Sequence, residues 1–171
     1  MNAVLRPAPA PRHRPMAAAD LDAIMAIEVN AYPHPWTRGN FIDSLAAGHH
    51  SRLRHDAGGA LIGYFVALPG FEETHLLNLT VAPDWQRQGH GRALLDRLAA
   101  WAHGRGDLAL WLEVRQSNTG ARALYERHGF VQVGSRIGYY PAARQQREDA
   151  VVMRRKVLGD PAAAGWVDAL D

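Results

Sequence analysis

The order of apolar patterns in this chain predicts an α/β fold, with a mixed, mostly antiparallel sheet and helices on both faces. Two helical stretches come first, a hairpin follows, and the rest alternates strand, helix, strand, helix and strand. The central strand–helix–strand unit should join parallel strands through a right-handed crossover. At 171 residues the chain has the length of a single domain.

The first half of the chain reads as two helices and a hairpin. Apolar residues at helical spacing predict a helix from Ala18 to Ala31. Two prolines and two aromatic residues interrupt that pattern, and Thr37 is a suitable N-cap for a second helix from Phe41 to Ala47. Strands are predicted from Ser51 to His55 and from Ala60 to Leu68, because an Asp-Ala-Gly-Gly turn separates them.

The second half of the chain supplies the alternating strands and helices. A buried apolar strand ends near Val81, where Pro83-Asp84 signals a turn. The helix that begins after Gly91 should reach about His103. A further strand, a helix and two last strands are predicted in order at Leu108 to Val114, Asn118 to His128, Phe130 to Ile137 and Ala150 to Val157.

The two ends of the chain differ from its middle. Residues 1–15 contain four prolines and no apolar signal segment, so we expect a flexible tail with an edge strand near Arg12 to Met16. Residues 16–158 form the predicted domain, and residues 159–171 a short C-terminal tail.

The composition excludes several classes of function. The chain has no cysteine, which rules out disulfides, a thiol nucleophile and cysteine metal sites. No run of 18 apolar residues predicts a membrane span, and a net charge of +2 gives no reason to expect a nucleic-acid partner. No metal is expected either, since the nine histidines include one adjacent pair, His49-His50, and no zinc-binding spacing. We expect a cytoplasmic protein, and a monomer, although the oligomeric state cannot be read from the sequence.

A glycine-bearing loop joins the buried strand to the helix that follows it. Its sequence runs Gln86-Arg87-Gln88-Gly89-His90-Gly91-Arg92. A helix start has unpaired N–H groups and partial positive charge, and two glycines let a phosphate approach them. The chain has no Walker motif, and Leu94 stands where a dinucleotide fingerprint needs glycine or alanine. The loop therefore predicts a pyrophosphate site, although a merely flexible helix start would look the same.

A carboxylate in an apolar strand is the second candidate for chemistry. The strand Trp111-Leu112-Glu113-Val114-Arg115 places Glu113 on the face of Trp111 and Arg115. Glu113 is either paired with an arginine or a general base in a cleft, where low-dielectric surroundings raise a carboxyl pKa. Asn118 can cap the next helix. Tyr125 on that helix is either core or a hydroxyl aimed into a cleft.

Taken together, these motifs resemble one family. The chain carries QRQGxGR, WLEVR, SNxxAxxLYxxxGF, YYP and REDA in this order. It is similar to the RimI type of the GNAT superfamily, the bacterial ribosomal-protein alanine N-acetyltransferases, from about Met16 to Lys156. The resemblance implies the GNAT fold and acetyl-CoA as co-substrate. His90 departs from the pattern, in which an apolar residue is usual, and could add a cation near phosphate or point to water.

The resemblance also implies a role for each matching residue. Glu113 would be the general base and Tyr125 the general acid that reprotonates the departing thiolate. Acetyl-CoA would bind through strand backbone, with the Val81 N–H facing the thioester carbonyl, and through the pyrophosphate loop and Asn118. The residues implied for the cofactor are Leu79, Thr80, Val81, Arg87, Gln88, Gly89, His90, Gly91, Arg92 and Asn118. Those implied for the peptide groove are Pro35, Trp36, Tyr139 and Tyr140.

The expected reaction is direct acetyl transfer to the N-terminal α-amine of a ribosomal protein, with alanine as its first residue. The absence of cysteine excludes a cysteinyl acyl-enzyme. An α-amine has a pKa of about 7.7–8.0 against about 10.4 for lysine, so a glutamate base suits it better. Two alternatives stay open: transfer to another protein N-terminus, a lysine or a small amine, and a non-catalytic acyl-CoA-binding domain.

Overall fold

A computed structural model describes residues 10–158 of the chain. It contains seven strands in one sheet and four α-helices. The strands are β1 (Arg12–Pro15), β2 (His50–His55), β3 (Leu61–Pro69), β4 (Glu73–Val81), β5 (Ala109–Arg115), β6 (Val131–Pro141) and β7 (Arg147–Lys156). The helices are α1 (Leu21–Ala31), α2 (Arg38–Ala46), α3 (His90–Gly104) and α4 (Thr119–Arg127).

The sheet is mixed and mostly antiparallel, as the sequence predicts. Its strand order is β1-β2-β3-β4-β5-β7-β6, and only the β4–β5 pair is parallel. That parallel pairing is short, because it joins only residues 73–76 to residues 109–112. β4 continues to Val81 and β5 to Arg115 beyond the paired segment. The two strands therefore separate at their C-terminal ends, in the middle of the sheet.

Helices cover both faces of the sheet. Alternate residues of β3 enter two different cores, because successive side chains on a strand point to opposite faces. Phe65 and Ala67 pack with α3 and Tyr125 of α4. Tyr64 and Val66 pack with α1 and with Phe41 of α2. The predicted fold class is confirmed.

The helix ends follow the predicted capping chemistry. The Thr37 hydroxyl accepts a hydrogen bond from Asn40 N at 3.2 Å, and the Asn118 side chain accepts one from Ala121 N at 3.2 Å. The predicted edge strand is also confirmed, since β1 pairs antiparallel with β2. It starts inside the segment assigned to the N-terminal tail; residues 1–9 and 159–171 lie outside the described residues.

Within residues 10–158, no helix is both long enough and apolar enough to cross a membrane. The same part of the chain contains no group of three or more histidine or acidic residues placed to hold a metal ion.

Candidate active site

A cleft of about 1190 Å³ opens where β4 and β5 separate. Leu79 and Val81 of β4 line one side, and Arg115 of β5 lies opposite with the start of α4. The loop before α3 forms a third wall. Because β4 and β5 are no longer paired there, backbone groups at the cleft are available to a ligand.

The glycine-bearing loop lines this cleft. Gly89 is the N-cap of α3, with φ +85°, and no side chain caps the helix there. A Cβ added at Gly89 would meet no atom within 4 Å, so the backbone is open on that side. Arg87, Gly89, Gly91 and Arg92 all line the cleft. The unpaired N–H groups at the start of α3 therefore face a space that a phosphate can enter.

The cleft is rich in cations. Arg87, Arg92, Arg115 and Arg127 line it, and Glu148 is its only carboxylate among the residues that the structure describes. Glu148 is occupied, since Arg115 Nη1 lies 3.2 Å and Ser117 N 2.7 Å from its two oxygens. The bonds from Ser117 and Arg115 hold the pKa of Glu148 below its usual range, so it stays ionised. The electrostatics favour a polyanionic ligand.

The direction of the β4 backbone follows from one hydrogen bond. Ala82 N donates to Ile62 O of β3 at 2.8 Å. Since N–H groups alternate in direction along a strand, the Val81 N–H points away from β3. That direction leads into the cleft that Val81 lines. A polarised carbonyl placed there would find one backbone donor.

Three residues implied for the cofactor, Thr80, Gln88 and His90, do not line the cleft, and the Thr80 side chain is buried. The Gln88 side chain donates to Asp84 O at 3.0 Å within the loop. His90 Nδ1 accepts a hydrogen bond from Arg54 Nε at 3.2 Å, and neither residue lines the cleft. Burial and Arg54 lower the pKa of His90, so it is neutral at pH 7 and supplies no cation to a phosphate.

Glu113 lies in an ion pair. Arg136 Nη2 of β6 is 3.0 Å from Glu113 Oε1, and the carboxylate is 18% exposed. Glu113 lines a small surface cavity with Glu73 and Trp111, on the side of β5 away from the α3 core, and does not line the main cleft. It lies two residues, or about 7 Å along the strand, from Arg115, which does. The ion pair with an arginine, one of the two alternatives that the sequence gave for Glu113, is therefore present.

Tyr125 of α4 lies close to two other tyrosines, Tyr32 and Tyr140. Tyr125 is 8% exposed, packs edge-on against Phe130, and does not line the cleft. Burial raises the pKa of Tyr125, and the neighbouring Tyr32 and Tyr140 raise it further. Burial also raises the pKa of Tyr140 to about 12, while its hydroxyl donates to Glu113 O at 3.1 Å. These phenols remain protonated at physiological pH.

Comparison with known proteins identifies the family. A sequence profile described as the acetyltransferase (GNAT) family matches residues 21–130. The chain belongs to the GNAT acetyltransferase family.

Individual GNAT relatives match most of the chain. It is 38% identical over 138 residues to the [ribosomal protein bS18]-alanine N-acetyltransferase of Salmonella typhimurium, which covers 81% of this chain and 92% of the relative. It is 39% identical over 133 residues to the N-alpha-acetyltransferase RimI of Mycobacterium tuberculosis, covering 74% and 78%. The crystal structure of the ribosomal-protein-S18-alanine N-acetyltransferase from Escherichia coli superposes with a TM-score of 0.79 at 35% identity, covering 86% and 94%.

GNAT enzymes use acetyl-CoA, and the cleft has the chemistry to hold it. The loop before α3 offers N–H donors and cations to a diphosphate, and the separated β4 edge offers backbone groups to the acyl-bearing arm. Asn118 lines the cleft while its side chain caps α4, so a contact with the cofactor would come from its remaining polar groups.

The part of the α1–α2 loop that lines the cleft differs from the part that the resemblance implies. Pro33 and His34 line the cleft, whereas Pro35 and Trp36 do not. Trp36 instead packs edge-on against Phe41, with ring centres 5.2 Å apart. Tyr139 and Tyr140 lie outside the cleft lining as well, so the substrate-binding roles of these four residues remain predictions.

A buried polar network under β4 was not found from the sequence. Glu28 of α1 is 1% exposed, and its carboxylate accepts hydrogen bonds from Trp36 N at 3.0 Å and Asn78 Nδ2 at 3.2 Å. The hydroxyl of Tyr64 also donates to it, and Thr80 Oγ1 lies 3.3 Å from its second oxygen. The available signal was spacing, because Glu28 lies four residues after Ile24 on the apolar face of the helix.

The same network reaches the cleft through Tyr32. Its hydroxyl donates to Leu79 O at 2.8 Å and accepts from Thr80 Oγ1 at 3.1 Å. Burial raises the pKa of Tyr32 to about 12. The loop after α1 is thus tied to two of the three β4 residues that the resemblance implies for the cofactor.

Proposed function

We propose that this GNAT enzyme transfers the acetyl group of acetyl-CoA to the N-terminal α-amine of a ribosomal protein that begins with alanine. The observation that carries the proposal is 38% identity, over 138 residues, to a relative named for this reaction on bS18. The cation-lined cleft at the β4–β5 separation supports it, because both substrates could meet there. We also propose that the reaction takes place in the cytoplasm, where ribosomal proteins are made.

We assign Glu113 the role of general base. The amine nitrogen must lose a proton before it attacks the thioester carbon, and a glutamate can accept that proton directly or through a water. Arg136 now occupies one oxygen of the carboxylate, so the entering amine or a water must reach the other oxygen. The side chain retains access to solvent, which such a relay needs.

The remaining steps use groups of β4 and α4. As nitrogen attacks, the carbonyl oxygen gains negative charge, and the Val81 N–H would stabilise it; removal of such a donor elsewhere has cost about 3–4 kcal/mol. The carbon–sulfur bond then breaks, and the protonated phenol of Tyr125, which does not line the cleft of the free protein, would turn toward the departing sulfur and protonate it. The raised pKa of Tyr125 keeps the phenol protonated, as a general acid must be before transfer.

A direct assay distinguishes the acceptors. The full chain is incubated with acetyl-CoA and three matched acceptors: a peptide with the N-terminal sequence of bS18 from the same cells, the same peptide with a blocked N-terminus and one internal lysine, and spermidine. Thiol release gives the rate, and tandem mass spectrometry locates the acetyl group. We expect transfer to the α-nitrogen of the first peptide, at least tenfold faster than to the others.

Each other outcome rejects a defined part of the proposal. Faster transfer to lysine or spermidine would retain the acetyltransferase and reject the α-amine acceptor. Binding of acetyl-CoA without transfer to any acceptor would indicate a non-catalytic acyl-CoA-binding domain. Loss of transfer in Glu113→Gln, with acetyl-CoA affinity unchanged, would support the base assignment.

A further inference from the structure

Two rows of side chains, mostly basic, face each other where one side of α3 lies beside β2. His50, Arg52 and Arg54 lie on one face of β2, because they alternate along the strand. Arg97 and Trp101 share one side of α3, four residues apart. The rows are in contact at one end, where His50 stacks on Trp101 with ring centres 3.8 Å apart.

This region is separate from the cleft. At the other end of the rows, Arg54 Nη1 lies 2.7 Å from His13 Nε2 of β1. Five residues, His13, His50, Arg52, Arg54 and Arg97, constitute what we call the Arg52 cluster. None of them lines the acetyl-CoA cleft, and within residues 10–158 the one hydrogen bond to the loop before α3 runs from Arg54 to His90.

The Arg52 cluster is unusual in having no acid. Among the ion pairs of residues 10–158, none involves Arg52, Arg54 or Arg97. Arg97 is close enough to lower the pKa of Arg52, after the larger effect of burial. Like charges held together in a partly buried place repel one another, and this costs stability unless an anion compensates.

The cluster also contains hydrogen-bond donors without acceptors. An arginine can only donate, so His13 Nε2 accepts from Arg54 and the His13 proton must lie on Nδ1. That Nδ1 is shielded from solvent and has no partner. Arg52 Nε is in the same condition, and His50 Nε2 also has no hydrogen-bond partner. Unsatisfied buried donors are rare in folded proteins and call for an explanation.

We propose that the Arg52 cluster is a second anion site, which binds a phosphate group between β2 and α3. A phosphate oxyanion offers several acceptor oxygens and up to two negative charges. It would offset up to two of the three guanidinium charges and, after small side-chain rotations, accept hydrogen bonds from Arg52 Nε and His13 Nδ1. Guanidinium groups suit this ligand because their planar N–H pairs match phosphate geometry.

Thermal unfolding of the full chain tests the site. The protein is first saturated with acetyl-CoA, so that phosphate cannot act through the cleft, and sodium phosphate then replaces chloride at constant ionic strength and pH 7.5. A ligand present at ten times its Kd raises the Tm of a domain this size by about 3–6 °C. We expect such a rise for the natural protein and none for Arg97→Gln or Arg52→Gln.

Arg12→Gln is the matched control. Arg12 is exposed on β1 and alternates with His13, so it faces away from the cluster. This variant should keep the full phosphate response. In chloride, Arg97→Gln should melt no lower than the natural protein, because the substitution relieves repulsion. An equal phosphate response in Arg97→Gln, or none in the natural protein, would overturn the proposal.

A second arm identifies the source of the phosphate. A single-stranded RNA dodecamer is added at the same total phosphate concentration. A larger rise with RNA, lost in Arg97→Gln, assigns the site to a phosphodiester chain. A rise with phosphate alone assigns it to free phosphate or a phosphate monoester.

Discussion

A substitution at Gly89 separates the contribution of the loop before α3 to acetyl-CoA binding from its contribution to protein stability. Its φ of +85° costs an L-residue about 1–2 kcal/mol, and an added Cβ would enter open space beside the cleft. In Gly89→Ala the free loop would relax, and acetyl-CoA binding would have to restore the strained form. Since 1.4 kcal/mol is a factor of ten, the Kd for acetyl-CoA should rise about 5- to 30-fold.

Gly48→Ala is a close control for this substitution. Gly48 follows α2 with φ +73°, has nothing within 4 Å of an added Cβ, and does not line the cleft. Gly48→Ala should lose about 2–8 °C in Tm, and Gly89→Ala should lose less, because relaxation of its loop releases strain in the free protein. Isothermal titration calorimetry with acetyl-CoA should separate them. Equal affinities in Gly89→Ala and Gly48→Ala would refute a diphosphate site at this loop.

Three further predictions concern the base, the network under β4 and acid stability. Glu113→Gln should lower kcat by about 10²–10⁴-fold with little change in acetyl-CoA affinity, measured by steady-state kinetics and calorimetry; a kcat within threefold of the natural value would exclude the base role. Glu28→Gln places an amide N–H against several donors and should cost about 1–3 kcal/mol of stability and raise the acceptor KM, while Asp22→Asn on the same helix should change neither. Burial and nearby arginines lower the pKa of His13 and of His50 to about 4 in the folded protein. Between pH 6.5 and 4 the unfolded chain therefore binds more protons than the folded protein. Stability should therefore fall as the pH drops through that window, by roughly 2–4 kcal/mol for the pair after allowance for solvent screening, and a double His→Gln variant that melts with the same acid dependence would contradict this.

Local patterns predicted the elements of the fold well, because each depends on residues close in sequence. The capping roles of Thr37 and Asn118 and the strand-to-helix turn at Gly89 follow from side-chain chemistry within a few positions. The separation of β4 from β5 did not follow, since it depends on a pairing that stops at Leu76 and Leu112.

Contacts between segments that are distant in the sequence were not predicted either. The sequence predicted that Glu113 could pair with an arginine, but it did not identify which one. The partner, Arg136, lies on β6, and β7 separates β6 from β5 in the sheet. Glu28 was overlooked because apolar periodicity directs attention away from a carboxylate on a buried helix face. The buried position of Glu28 is explained by its three donors, which come from β3, β4 and the loop after α1.

The position of acetyl-CoA tests the central claim most directly. A crystal structure of the complex should place the diphosphate against the N–H groups of residues 89–92. The thioester oxygen should lie about 2.7–3.1 Å from Val81 N, the range expected for a donor to a developing oxyanion. A diphosphate bound away from this loop, or a thioester beyond hydrogen-bonding distance of Val81, would contradict the account.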